Sequence, residues 1–457
     1  VTEKSYSHAV VIGGSIAGLL AARALADHFA EVTILERDCF PAIGQNRKGV
    51  PQGHHTHALL SSGQQALEHF FPGLTAELAV QGAVVADPLL AARRYLGGYY
   101  HCQFESGLQG LYLSRPLLEG QVRRRVLALP NVRAMENCDV VGLVASEDQQ
   151  RITGIRLLHR SGDGAEKTLK AELAIDASGR GSRSPQWLTA LGYDKPTEER
   201  VHIGMGYVSR YYRRNPDPQG TALVSISAPP QTRMGVLAAQ EGERWIVSLA
   251  GYLGDYAPTD PDAFLEFART LPAPDIYAII KDAEPLSDPV PARFPANTRR
   301  RYEQLKHFPE GYLVLGDAIC SFNPVYGQGM TVAALEAQVL HELLQQGQHR
   351  LAQRFFRRAS TLVDNPWDIA VGGDLRIAGV VGKRSPLQRL MARYLDRLHR
   401  AAQHDPKVVM AFGKVVGLRA PSKSLLQPSL VWRVLVTNRQ SPPAPRPTID
   451  SMPKEAS

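Results

Sequence analysis

The sequence predicts an α/β protein of two interleaved domains with a helical C-terminal region, on three observations. The chain opens as strand, turn, helix, strand: apolar Ala9-Val-Val-Ile12, the turn Gly13-Gly-Ser-Ile-Ala-Gly18, an amphipathic stretch, then Val32-Thr-Ile-Leu-Glu36. Far along the chain, another apolar strand runs into Gly316-Asp317 and the glycine turn Gly327-Gln-Gly329. Between them, residues 201–251 hold four alternating runs, enough for a separate antiparallel sheet. A length of 457 residues also exceeds one ordinary core.

Taken in order, residues 50–80 read as a loop and a helix, with Ala58, Leu59, Leu60, Ala66, Leu67, Phe70 and Phe71 at helical spacing before Pro72-Gly73. Ser114-Arg115-Pro116 opens a helix with Leu117, Leu118, Val122, Val126 and Leu127 inward and arginines outward. Residues 132–158 suggest a β-meander, and Leu173-Ala-Ile-Asp176 a buried strand ending in a glycine turn. Residues 261–280 read as helix, 311–315 as strand and 331–344 as helix. Residues 346–437 are mostly helical by pattern, most clearly over 387–398. The expected organisation is a discontinuous nucleotide-binding domain (1–80, 107–190 and 286–345), a substrate sheet (81–106 and 191–285) and a helical region (346–437). Residues 438–457 have too little apolar content to pack and are expected to be disordered.

Composition narrows the function classes. Apolar residues at 44% and charged residues at 21% fit a soluble globular protein, and no apolar run is long enough to cross a bilayer. The first strand begins within a few residues, which leaves no room for a signal peptide, so a cytoplasmic location is expected. Four scattered cysteines without a CxxC pair argue against a zinc site or disulfide framework. The net charge of +8 suits an acidic partner, peripheral contact with an anionic membrane, or a phosphate-bearing cofactor. No nucleic-acid module is present, so no nucleic-acid partner is expected. His54, His55 and His57 lack a nearby carboxylate or cysteine, and no metal site is expected.

The chemistry-bearing residues fall in two groups. Gly13, Gly14, Ser15, Ala17 and Gly18 form the turn that lets backbone approach a pyrophosphate at a helix N-terminus. Ser15 replaces the second glycine of G-x-G-x-x-G, and its hydroxyl can donate to the same anion. Glu36, with Arg37 beside it, ends the second strand where a carboxylate accepts from ribose hydroxyls and disfavours a 2′-phosphate. Gly316 and Asp317 end a strand where a carboxylate can accept a ribityl hydroxyl. Pro324, Gly327, Gln328 and Gly329 bring bare backbone toward a flavin ring. This second group points to FAD rather than a nicotinamide dinucleotide.

Together, Gly13 to Glu36, Asp176-Ala-Ser-Gly-Arg180 and Gly316-Asp317 with Gly327-Gln-Gly-Met330 resemble the flavoprotein monooxygenases related to para-hydroxybenzoate hydroxylase. Lys48-Gly-Val-Pro-Gln-Gly-His-His-Thr-His57 resembles a bacterial subgroup that includes polyether epoxidases. The resemblance implies a glutathione-reductase-type FAD domain and a flavin C4a-hydroperoxide, formed with O2, that transfers one oxygen to an aromatic ring or alkene. It implies NAD(P)H as electron donor, and a small-molecule or a peptide- or carrier-bound substrate, such as a tryptophan side chain in quinone-cofactor maturation. By motif match it places Arg47 and Gln52 near the flavin, Arg115 at the FAD phosphates or adenosine, and Asp176 against FAD. Asp176-Ala-Ser-Gly stands where the family has Asp-Gly, a variant shared with reductases and halogenases. A flavin-dependent reductase, a halogenase-like enzyme and a non-catalytic assembly factor are the alternatives. Substrate contacts are expected from Tyr207, Tyr211, Leu223, Met234, Leu237 and Trp245 on the sheet. No residue is required to carry the oxygen chemistry itself, since the flavin supplies it.

Overall fold

The structure, a computed structural model, describes residues 6–440 apart from 161–163, 216, 218 and 385. Its first part runs β1 (Tyr6–Ile12), α1 (Ile16–Ala26), β2 (Phe29–Leu35), α2 (Ser61–Phe70), α3 (Leu74–Val80), β3 (Val84–Ala86), β4 (Ala92–Leu96), β5 (Tyr99–Tyr100), β6 (Gly110–Tyr112), α4 (Arg115–Leu127), β7 (Val132–Met135), β8 (Cys138–Ala145), β9 (Ile152–His159), β10 (Glu166–Lys170) and β11 (Leu173–Asp176). Then come α5 (Ser184–Ala190), β12 (Thr197–Arg213), β13 (Leu223–Ser227), β14 (Arg233–Gln240), β15 (Arg244–Gly251), α6 (Pro261–Arg269), α7 (Asp275–Ile280), β16 (Val290–Arg301), β17 (Tyr312–Val314) and β18 (Cys320–Ser321). Five helices close the described chain: α8 (Gly329–Leu344), α9 (Leu351–Asp374), α10 (Pro386–Ala401), α11 (Pro406–Val416) and α12 (Pro428–Gln440).

A five-stranded sheet in the order β17-β11-β1-β2-β7 is parallel throughout. Its strands are buried on both faces, which is why they read as continuous apolar runs. The small residues of α1 let that helix lie close on the sheet, with Leu19, Ala21, Ala22 and Leu25 fully buried. The carboxyl ends of β1, β2, β11 and β17 all open toward one side, where ligands bind in sheets of this kind.

An eight-stranded sheet, β18-β16-β12-β15-β14-β13-β4-β5, forms the second layer. One face packs Val224, Leu237, Trp245 and Leu249 against Phe264, Phe267 and Ile276 of α6 and α7. Asp260 caps α6 by accepting from Ala263 N at 2.9 Å, and Pro261 supplies a preset first-turn φ. The other face looks back toward the parallel sheet.

Several expectations are revised. The segment 261–280 is two helices, because Leu271-Pro-Ala-Pro274 intervenes and its prolines cannot continue a helical hydrogen-bond ladder. The helix expected before Pro72-Gly73 is α2, and a further short helix, α3, follows Gly73, which takes φ +81°. The strand β16 pairs with β12 over nearly its whole length and so belongs to the eight-stranded sheet, although 286–345 was assigned to the nucleotide-binding part. In α4, Glu119, Gln121 and Arg123 are buried, so the arginine-rich side is only partly outward. The expected disordered tail lies outside the described residues except for 438–440, which belong to α12.

Candidate cofactor and substrate site

The turn after β1 has a separate reason for each glycine. Gly13 takes φ +102°, and a Cβ there would meet Ala177 O at 2.7 Å. Gly14 donates its N–H to Glu36 Oε2 at 2.8 Å, and a Cβ at Gly18 would run into the Gly13 carbonyl. Ser15 stands at the N-cap of α1 but makes no capping bond. Its hydroxyl instead donates to Glu119 Oε2 at 2.8 Å and accepts from Arg115 Nη2 at 2.8 Å. Ser114 caps α4 through Leu117 N, which fixes where Arg115 begins.

At the end of β2, Glu36 accepts from the backbone N–H groups of Gly14, Arg37 and Asp38. Arg47 lies against it at 2.9 Å, and also pairs with Asp38 at 2.6 Å and Glu119 at 3.2 Å. Three carboxylates compensate one buried guanidinium, the condition for tolerating such a charge. Arg47 thus packs at the β2 acid, and both it and Gln52 line the cavity. Glu119 is the residue the sequence reading missed. Its i,i+4 spacing from Arg115 was the available signal.

The second group sits across the cavity. Gly316, at φ +71°, donates its N–H to Glu336 Oε2 of α8 at 2.6 Å. Burial pushes the Glu336 carboxyl up to about 8, outweighing the Gly316 N–H, so it is protonated at neutral pH. The Asp317 carboxylate lines the cavity and has no hydrogen-bond partner among the described residues. Burial raises its pKa, while Arg180 and Arg115 pull it down. Pro324, Gly327, Gln328 and Gly329 line the same wall, and the Gln328 side-chain oxygen is buried without a hydrogen-bond partner among the described residues. Asn323 anchors this loop through Asp374, which also accepts from Asn297, Tyr252 and Tyr326.

Asp176 is a correction. It is fully buried, and its oxygens accept from Ser178 N and from the hydroxyls of Ser178, Ser182 and Ser184. Those bonds shape the turn behind the cavity, and Ala177, Ser178, Gly179 and Arg180 line it instead. Gly14, Gly18 and Gly316 likewise shape their turns from behind the cavity wall. Gly13, Ser15, Ala17, Glu36, Arg37, Arg47 and Arg115 line it.

The histidine segment forms part of the wall. His55 Nδ1 lies 2.9 Å from Ser209 Oγ, which lies 2.5 Å from Ser248 Oγ. His57 Nδ1 lies 2.9 Å from the His55 carbonyl, and its Nε2 is 3.2 Å from Arg115 Nη1. Since the carbonyl only accepts and the guanidinium only donates, His57 is the Nδ1–H tautomer. Burial lowers His55 to about 4 and His57 to about 3, with His54 and Arg115 respectively adding to the effect. Both rings are neutral at pH 7. Among the described residues, no cluster of three or more His, Cys, Asp or Glu side chains is arranged to hold a metal.

These walls enclose one continuous cavity of about 2010 Å³. It exceeds the roughly 300–1,000 Å³ of a pocket for one drug-sized ligand, so a dinucleotide and a second molecule fit together. Of the expected substrate contacts, Tyr207, Leu223 and Met234 line it. Tyr211 lies beyond it, under the Arg244 guanidinium at 4.8 Å from the ring centre. Leu237 and Trp245 belong to the opposite face and pack on α6 and α7, which removes them as substrate contacts. The sequence reading drew from both faces of strands whose side chains alternate. It also missed the far end of the cavity, where Met391, Leu395, Met410 and Phe412 meet the stacked His101–His399 pair.

No family model matches the sequence. Protein Rv3254 of Mycobacterium tuberculosis (strain ATCC 25618 / H37Rv) is 35% identical over 419 residues, covering 87% of each chain. Among solved structures, the flavin-dependent brominase Bmp2 matches with a TM-score of 0.67 at 14% identity, over 95% of this chain and 99% of that one. The myxobacterial chondrochloren halogenase CndH matches at 0.62 with 17% identity, over 92% and 99%. PqsL of Pseudomonas aeruginosa, a probable FAD-dependent monooxygenase, matches at 0.60 with 17% identity, over 82% and 99%. At such identities these likenesses show a shared fold.

Proposed function

Because the chain belongs to the same family as Protein Rv3254 and has the fold of flavin-dependent monooxygenases and halogenases, we propose that it is an FAD-dependent monooxygenase. The observation that carries this reading is the position of Asp317: an unpartnered carboxylate on the cavity that also receives the Gly13–Ala17 turn. The residues present suit the cofactor. The α1 N-terminus, Ser15 and Arg115 offer donors for a pyrophosphate, and Glu36 offers acceptors to an adenosine ribose. Asp317 offers acceptors to a ribityl chain, and the Gly327–Gly329 backbone suits a flavin edge.

FAD held there would supply redox chemistry: with two electrons from NAD(P)H, one atom of O2 would enter the substrate and the other would leave as water. The chain's own residues position and shield. Tyr207, Leu223 and Met234 present an apolar wall to an aromatic ring or alkene, and the sheet behind them keeps bulk water out. His55 and His57, held neutral, add no positive charge to that wall.

The test is direct. Purified protein should carry or take up FAD, seen as visible flavin absorbance. It should consume NAD(P)H and O2 in step with oxygenated product when given electron-rich aromatics or alkenes. A colourless protein that cannot be reconstituted with FAD refutes the reading. Anaerobic conversion of substrate would make it a reductase.

A further inference from the structure

Four arginines meet in a second concavity of about 280 Å³ between the end of α9 and the start of α10. Arg376 is paired with Asp396. Arg384, Arg389 and Arg393 line the same hollow and have no carboxylate partner among the described residues. Like charges gathered this way repel, and Arg389 and Arg393 stand i,i+4 on one helix face, a spacing that weakens a helix when the charges match. The first turn of α10 also carries no acidic residue to offset its N-terminal dipole. An anion seated among these guanidiniums relieves both conditions.

The hollow is continuous with the main cavity. Gly372, Arg376, Gln388 and Ala392 line both, and the next residues inward are the apolar Met391 and Leu395. Each guanidinium fork matches phosphate oxygens in pairs, so several converging arginines can satisfy more than one oxygen of the same phosphate.

We propose that this arginine hollow is a binding site for a phosphate-class anion at the α10 end of the cavity. Two sources share that chemistry: the phosphate head of a substrate whose apolar body reaches the Met391–Leu395 wall, or the phosphates of the nicotinamide donor. The substrate arm rests on the monooxygenase reading, but anion binding does not.

The experiment compares FAD-loaded wild type with the triple variant Arg384→Ala, Arg389→Ala, Arg393→Ala by calorimetric titration. The probes are dodecyl phosphate, dodecanol and NADPH, each at low and high salt. If the source is substrate, dodecyl phosphate binds the variant about tenfold or more weakly, in a salt-sensitive manner, while dodecanol and NADPH are unchanged. If the source is the donor, NADPH alone weakens by that factor. Equal affinity of both phosphates for the two proteins overturns the proposal, as does parallel loss of dodecanol, which marks a structural role. The flavin absorbance of each preparation is read separately. A chain without FAD defeats the monooxygenase reading and leaves the phosphate titrations interpretable.

Discussion

The Arg115 guanidinium donates to the Ser15 hydroxyl across 2.8 Å, joining the first residue of α4 to the N-cap of α1. The same side chain donates to neutral His57 on the loop that lines the cavity. One arginine thus couples the turn after β1 to the histidine segment of the cavity wall.

Arg115→Ala should weaken FAD binding by about 1.5–3 kcal/mol, the worth of a charge-assisted hydrogen bond. Fluorescence titration of apoprotein with FAD measures it. Arg115→Lys should recover only part, because an ammonium lacks the fork that reaches Ser15 and His57 together. Unchanged affinity in the alanine variant would remove Arg115 from the cofactor site.

Asp317→Ala should reduce FAD affinity by a similar amount, about 1.5–3 kcal/mol, and should leave the thermal midpoint of apoprotein nearly unchanged. Its carboxylate has no hydrogen-bond partner among the described residues to lose. A large drop in apoprotein stability would instead assign Asp317 a structural role.

Glu336 makes stability depend on pH in a definite direction. Its folded pKa of about 8 lies above the ordinary carboxyl value of 4.5. The favourable contribution of the protonated form is therefore complete below pH 4.5 and is lost as pH rises toward 8. Glu336→Gln, which keeps an acceptor for Gly316 N, should match wild type at pH 5 and exceed it at pH 8 by on the order of 3 kcal/mol. Denaturant unfolding at the two pH values checks this; parallel curves would contradict a raised pKa.

Met234 and Leu237 stand three residues apart on β14 and face opposite ways. Leu237→Ala should cost about 2–5 kcal/mol of stability as a core truncation, with substrate KM unchanged. Met234→Ala should cost less stability and raise KM. The reverse pattern would exchange the faces assigned to them.

Whereas β7 was expected in a β-meander and pairs with β2 instead, four strands of the parallel sheet were legible as short apolar runs, signals carried by neighbouring residues. The same holds for Gly13–Gly18, Glu36 and Gly316-Asp317, where residue type and spacing are the chemistry. The ion pairs of Arg47 were not legible, because nothing local to it names Glu36, Asp38 and Glu119 as its partners. Asp176 was misread because the serines that consume its carboxylate also make the motif look like a binding turn.

By itself, then, the sequence determined that a dinucleotide turn and a second glycine-rich turn exist, since both depend on backbone conformations set within a few residues. Only the tertiary structure decided that they share one cavity, which face of the large sheet lines it, and that α10 and α11 close its far end. Those outcomes depend on contacts between segments hundreds of residues apart, and a period-two strand pattern offers two faces without saying which one meets the ligand.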